Sequence, residues 1–385
     1  MVFMKKAFLF VVLFVLSTVC YAQSDFEIAS SFMSKKGITL QDSPQTSIHR
    51  SASNKPYSIY NGEHGKGFAI VVNGSIIGYS TENSVDVNDI NPTLDAIINT
   101  CASMPNNVNR RASEFPDWFE PRDVTPIEPI LKTKWGQYAP YNNMLKTTGI
   151  CLVVAYAQIY HYYKAQIQCD VVSAIWDKEL NDSVYTELPK TTFNHDIMLD
   201  DYSKSSYTEE QAEEVAKLYY YTKHHLTESL IHQRAKYWNL EYWLKTISEL
   251  NDKYAEIDPH LERKIPLATG ALNHAFVIDG RDSQGLYHLN LGWSGGGDGY
   301  FAIPIGPIDF EVKDYYSGVS YAAKITYYSY CAPFNWDEAS RINPIMQNKD
   351  HKRRFYNLSG QYMGEALNGL PKGIYVCDGK KYVVK

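Results

Sequence analysis

The sequence predicts an α+β fold, helices first and antiparallel strands later, on three observations. A strongly apolar run from Cys151 to Tyr163 has helical character, and so do the stretch from Thr208-Glu209-Glu210-Gln211 towards His232 and the segment 240–250. The period then shortens: 273–279 and 286–291 read as strands joined by Gly280 to Gly285, and a glycine-rich loop over 292–299 leads to another short strand, 300–303. Upstream lies a smaller unit with a helix, a hairpin and a second helix of its own.

From the N-terminus, Lys5 and Lys6 precede an apolar run from Ala7 to Val19, and Cys20-Tyr21-Ala22 supplies small residues for cleavage, so residues 1–22 read as a secretory signal peptide. Cys20 invites a lipoprotein reading, but Val19 is bulky where lipidation needs a small residue. No later apolar run reaches the roughly 18 residues of a membrane span. Ser24-Asp25-Phe26-Glu27 has the form of a capping box and opens a helix over 26–36 that Gly37 ends. Strands follow over 56–60, 67–72 and 75–79, the last two separated by the hairpin signal Asn73-Gly74, and 92–103 reads as a helix. The polar stretch 105–122, with Arg110-Arg111 and several prolines, has the composition of a processing-sensitive linker, with Arg110, Arg111 and Arg122 as candidate cleavage positions. At the other end, 334–354 is polar and irregular, and 355–385 alternates in short runs that suggest a small β-module.

Composition narrows the function classes. The chain has 385 residues, more than one core accommodates, and its 44% hydrophobic and 21% charged fractions are those of a globular protein. The 31 tyrosines suit surfaces that cover apolar area with a polar tip. A net charge of −6, with Lys352-Arg353-Arg354 as the one basic cluster, excludes a nucleic-acid partner. After the signal, Cys101, Cys151, Cys169, Cys331 and Cys377 remain, an odd number without metal-ligand spacing, so at least one thiol is free and neither a metal nor a cofactor is expected.

A reactive thiol needs a setting that favours the thiolate. Cys151 stands where a helix begins, and the unpaired N–H groups and positive dipole end favour an anion there. Cys169, flanked by Gln168 and Asp170, lacks such a setting. A base is available in His274 on a strand. If the two strands pair with residue 278 opposite 286, His274 falls opposite Asn290, whose amide would hold the imidazole tautomer. Gly292-Trp293-Ser294-Gly295-Gly296 satisfies the G-x-S-x-G pattern formally, but it lies between strands and lacks the strand-turn-helix elbow that pattern requires. His224 and His225 have no carboxylate or cysteine partner at helical spacing and read as packing or surface residues.

Cys151-Leu-Val-Val-Ala155-Tyr-Ala157-Gln158-Ile159, His274-Ala-Phe-Val-Ile-Asp279-Gly280 and Tyr287-His288-Leu289-Asn290 with Gly292-Trp293 resemble the streptopain family of papain-fold cysteine peptidases. Trp135-Gly136-Gln137 and Pro140-Tyr141-Asn142 are similar to the stretch before that family's nucleophile, and Lys66-Gly67-Phe68-Ala69-Ile70-Val71 with Gly78-Tyr79-Ser80 to its propeptide. The resemblance implies a papain-like domain over 123–334, its helical part carrying the cysteine and its antiparallel part the histidine. An inhibitory α+β propeptide over 23–122 precedes it. It implies Cys151 as nucleophile, His274 as base, Asn290 as the residue orienting it, Gln137 as side-chain donor of the oxyanion hole, and Trp293 packed beside the His-Asn pair. Protein or peptide substrates, the propeptide as intramolecular inhibitor, and a location outside the cytoplasm (extracellular, cell-surface or periplasmic) go with it.

Departures from the family stand at Ile150 and Asn273, where glycines are usual and side chains add bulk beside the cleft, and at Leu291, in place of a shielding tryptophan. A glycine-containing pocket signature after the helix at 208–222 is absent. They define the alternative, a catalytically impaired homologue that binds peptides or peptidases. Beyond a linker at 335–354, Tyr356-Asn-Leu-Ser-Gly360 with Gly373-Ile-Tyr375 and Gly379-Lys-Lys resembles the end modules of secreted Bacteroidetes proteins, some of which are sorting signals; a strand pair that packs on the domain is the other reading.

Overall fold

The computed structural model describes residues 24–41, 57–104, 114–168, 171–177, 182–227, 238, 240–246, 252–271, 274–303, 311–313, 320–322, 327–333, 355–357, 361–364, 370–377 and 380–384. The expected signal peptide, the Arg110-Arg111 pair, Cys169, Asn273 and the 335–354 linker lie outside these.

Local chemistry sets the first elements. The Ser24 hydroxyl accepts from the Glu27 N–H at 3.2 Å while the Glu27 carboxylate accepts from the Ser24 N–H at 2.9 Å, so both ends of the capping box close on helix α1 (Asp25–Ser34). Strands β1 (Tyr57–Asn61), β2 (Phe68–Val72) and β3 (Ser75–Ser80) form an antiparallel meander. Asn73 and Gly74 between β2 and β3 take φ of 50° and 74°, the left-handed pair that a two-residue hairpin turn requires. Helix α2 (Pro92–Ser103) starts on an Asn91 side chain that accepts from the Leu94 N–H at 2.9 Å, with Pro92 where its missing N–H costs nothing. Phe32, Met33, Val71, Ile76 and Tyr79 share one core with Phe115 and Phe119, so part of the expected linker is packed.

The rest of the larger unit follows as α3 (Cys151–Tyr162), the hairpin β4 (Val171–Asp177) and β5 (Asp182–Leu188), α4 (Glu209–Thr227), β6 (Leu240–Thr246), α5 (Asp252–Glu262), β7 (Leu267–Ala271), β8 (His274–Arg281), β9 (Tyr287–Asn290), β10 (Gly299–Phe301), β11 (Glu311–Lys313), β12 (Ser320–Ala322) and β13 (Tyr327–Pro333). One mixed-origin sheet runs β1-β2-β3-β10-β9-β8-β7-β13-β6. Its central seam is antiparallel pairing of Tyr79 with Tyr300 and Gly78 with Phe301, which joins the N-terminal meander to the later strands.

The segment expected as a helix from 240 is strand β6, because β13 supplies a complete ladder partner, Leu240 opposite Pro333 through Thr246 opposite Tyr327. Its apolar residues fit a helical or a strand period; a partner far along the chain decides between them.

Residues 335–385 form a second compact unit. Within it β14 (Phe355–Asn357), β15 (Tyr362–Gly364), β16 (Gly373–Cys377) and β17 (Lys380–Val384) pair in the order β15-β14-β16-β17, with Phe355 and Tyr375 buried at their centre. Among the described residues no helix is long and apolar enough to cross a membrane.

Candidate active site

Cys151 is the first residue of α3, partly exposed, with Ile150 as the cap that offers no side-chain bond. The cap is completed from elsewhere: Gln137, itself 2% exposed, accepts from the Ile150 N–H through Oε1 at 2.9 Å. Its Nε2 is buried and makes no hydrogen bond. Gln137 thus presents a desolvated N–H donor beside the thiol-bearing helix end. The Ile150 side chain is buried in the core with Val153, Val154 and Ala275, so it packs inward and adds no bulk to the cleft, contrary to the expectation from sequence.

His274 opens β8, and α3 packs on that strand. Trp293 packs near it, ring centroids 6.3 Å apart, and the ring of Tyr138, a residue 60% exposed, lies 6.3 Å from that of the tryptophan. The pairing of β8 with β9 corrects the expected register. Val277 stands opposite Asn290 and Ile278 opposite Leu289, with a bulge before Gly280 opposite His288. The ladder runs on to Arg281 opposite Tyr287, so the turn is shorter than the one anticipated over 280–285, and Asn290 pairs with Val277, three residues short of His274.

The Asn290 amide is consequently spent elsewhere. Its Nδ2 donates to the Thr133 carbonyl (2.8 Å) and to Gln158 Oε1 (3.1 Å), and its Oδ1 accepts from Gln158 Nε2 (3.0 Å) and the Gly292 N–H (3.2 Å). Orientation of His274 by Asn290 is therefore not its role in this structure. Leu291 is fully buried, and its N–H is held by Asp298 Oδ1 at 2.8 Å.

Asp279, fully buried, and the largely buried His288 form a pair at 2.6 Å, with Asp279 Oδ2 also accepting from the Leu131 N–H. Burial opposes charge on His288, but the adjacent Asp279 outweighs it and the imidazole pKa is raised. Burial pushes the Asp298 carboxyl up to about 6. Both His288 and Asp298 line a polar cavity of about 370 Å³ shared with Glu82, Asn83, Glu128 and Lys134.

The N-terminal domain reaches this region directly. Trp293 Nε1–H donates to Thr93 Oγ1 (3.2 Å), Asn91 Nδ2 donates to the Gly296 carbonyl (2.9 Å), and Asn83 Nδ2 to the Asp298 carbonyl (3.1 Å). Ser294 sits in this loop with φ of 54° and its N–H bound to the Trp135 carbonyl; no helix follows it, which rules out a serine elbow. His224 is buried against Tyr220 as a packing residue. Cys101 is buried too, its thiol pKa raised by burial. Arg122, a candidate cleavage position, is clamped at 2.7 Å to Asp258 with its guanidinium 3.5 Å over the Tyr254 ring, which leaves it unsuited to entering another active site. Sequence reasoning missed Gln158 and Thr93; an amide inside an apolar helix was the readable signal for the first, and nothing local marks the second.

A cysteine at the head of a buried helix, laid on an antiparallel sheet that begins an interior strand with histidine, is the α+β architecture of papain-like cysteine peptidases. Residues 135–301 match the Peptidase C10 family and residues 19–104 match the Spi protease inhibitor family, so a C10-type peptidase region follows an inhibitor-type region in this chain. Streptopain of Streptococcus pyogenes is 43% identical over 56 residues, a match spanning 14% of this chain and 14% of streptopain. A solved fragment of Prevotella intermedia prointerpain A shares the fold at 22% identity, with a TM-score of 0.50 over 77% of this chain and 98% of that one. Prevotella intermedia interpain A aligns at 23% identity and a TM-score of 0.39 over 54% and 94% of the two chains.

Proposed function

We propose that this chain is an exported cysteine endopeptidase made as a zymogen, with Cys151 as nucleophile and His274 as general base. The observation that carries the reading is Gln137, whose buried Nε2 has no partner while its Oε1 grips the N–H at the head of α3. A buried donor without a partner costs about 1–3 kcal/mol, and a negatively charged oxygen arriving beside Cys151 relieves that cost.

In the reaction the Cys151 thiol passes its proton to His274 and the thiolate adds to the peptide carbonyl carbon. The resulting oxyanion takes hydrogen bonds from Gln137 Nε2 and the Cys151 N–H. Collapse expels the amine, which leaves with the proton from His274, and the acyl thioester is then hydrolysed by a water that His274 deprotonates. Trp293 packs beside His274 and limits its motion. The inhibitor domain, 23–122, holds the zymogen off through strand β3 and the Thr93 and Asn91 contacts to the 292–299 loop; the peptidase domain spans 123–334. The signal-like residues 1–22 and the 355–385 module, which we read as a secretion or sorting tail, support a location outside the cytoplasm and protein or peptide substrates.

Alkylation by an iodoacetamide probe followed by peptide mapping tests this. Labelling of Cys151 at neutral pH, with peptide hydrolysis that Cys151→Ala abolishes, is expected after the inhibitor domain is removed. An unlabelled Cys151 in the processed protein would instead indicate the binding homologue.

A further inference from the structure

We infer that Gln158 is a positioning residue for Cys151, locking the nucleophile helix to both segments that supply the rest of the site. The inference rests on the peptidase reading of that site and adds a residue to it.

Gln158 lies two turns along α3 from Cys151, on the same face, and is completely buried. A primary amide there is costly unless satisfied, and an apolar residue of the same length would fill the core as well. Its bonds explain why it is an amide. Nε2 donates to Asn290 Oδ1 at 3.0 Å while Oε1 accepts from Asn290 Nδ2 at 3.1 Å, a reciprocal two-amide ring that fixes the distance and the tilt between α3 and the end of β9. Oε1 also accepts from Thr133 Oγ1 at 2.8 Å. Asn290 carries the bridge on to the Thr133 carbonyl and to the Gly292 N–H, one residue from Trp293.

Three pieces of chain meet on this one side chain: the helix headed by Cys151, the 290–293 turn that places Trp293 against His274, and the 133–137 segment that ends in Gln137. The amide that sequence assigned to the imidazole is occupied by this bridge, so the alignment of Cys151 with His274 and Gln137 depends on Gln158 and Asn290 acting together.

The test compares the full chain with Gln158→Met and Gln158→Glu, following iodoacetamide alkylation of Cys151 against pH. Gln158→Met keeps length and loses every bond; alkylation at neutral pH is expected to slow at least about five-fold and its pH profile to move. A neutral carboxylic acid reproduces the donor and acceptor pattern of the amide and an ionised one does not. Gln158→Glu is therefore expected to follow the wild type at acid pH and fall towards Gln158→Met as the pH rises. Superimposable profiles for all three proteins overturn the inference, and if Gln158→Met does not fold, the pH dependence of Gln158→Glu alone decides. Peptide hydrolysis by the wild type after processing is scored separately. A hydrolytic wild type with unaltered variants sinks the positioning role only, whereas shifted alkylation in a chain that never hydrolyses peptide sinks the peptidase reading only.

Discussion

Trp293, whose ring packs against His274, donates its indole N–H to the hydroxyl of Thr93 at the first turn of α2, 3.2 Å away. Asn91, two residues earlier, both caps α2 and donates to the Gly296 carbonyl. The inhibitor domain therefore grips the same loop that borders the candidate base. Each such bond contributes about 1 kcal/mol, and the cap about as much again. Asn91→Ala is expected to raise the alkylation rate of Cys151 in the uncleaved chain roughly thirty-fold and Thr93→Val by less; mass spectrometry of the trapped adduct measures both.

The seam between β3 and β10 depends on a missing side chain. A Cβ on Gly78 would stand 2.3 Å from Cδ1 of Phe301, which is fully buried and cannot retreat. Gly78→Ala is expected to cost about 1–3 kcal/mol through overpacking. After the linker is cut, the inhibitor domain should leave this variant on a size-exclusion column under conditions where it stays on the wild type.

Asp298 gives the fold a pH dependence of unusual sign. The carboxyl is buried and its pKa lies at about 6, above the unfolded value, so between about pH 4 and 6 the native state binds more protons than the unfolded one. Stability from this group falls as pH rises through that window. Asp298→Asn keeps an acceptor for the Leu291 N–H and removes the slope, so its urea midpoint should gain on the wild type between pH 4.5 and 7.

His161 and His195 act in the opposite direction. Their Nδ1 atoms meet at 3.2 Å, and His195 Nε2–H donates to the Ala165 carbonyl at 2.8 Å, which makes His161 the donor of a neutral pair. Burial, then the neighbouring His195, lowers the His161 pKa to about 4. Stability from the pair is present above the unfolded value near 6.5 and lost as pH falls towards 4. His161→Phe, which keeps a ring against Trp135, whose centroid lies 4.9 Å from that of His161, should lose less stability than the wild type between pH 7 and 5, read from urea unfolding.

Where the sequence was legible, the signal was local. Ser24 with Glu27 closes a capping box and Asn73-Gly74 turns a hairpin because three or four residues contain all the partners those motifs need. The 240–246 strand was misread, since its β13 partner begins at Tyr327. Asn290 was misplaced because a bulge and the true turn length set the register, and neither has a residue signature that fixes it.

The sequence by itself determined the α+β class, and its motifs pointed to an inhibitor-like unit ahead of the peptidase region and to Cys151, His274 and Gln137 as the candidate site residues, since each of these signals is written in short-range periodicity or motif. Only the tertiary structure decided what holds them. It turned Ile150 into the core, moved Asn290 from the histidine to Gln158, and set Thr93 against Trp293. Those outcomes depend on hydrogen bonds and packing between segments tens to hundreds of residues apart, where satisfying every buried polar group selects the partner, and no local pattern records that choice.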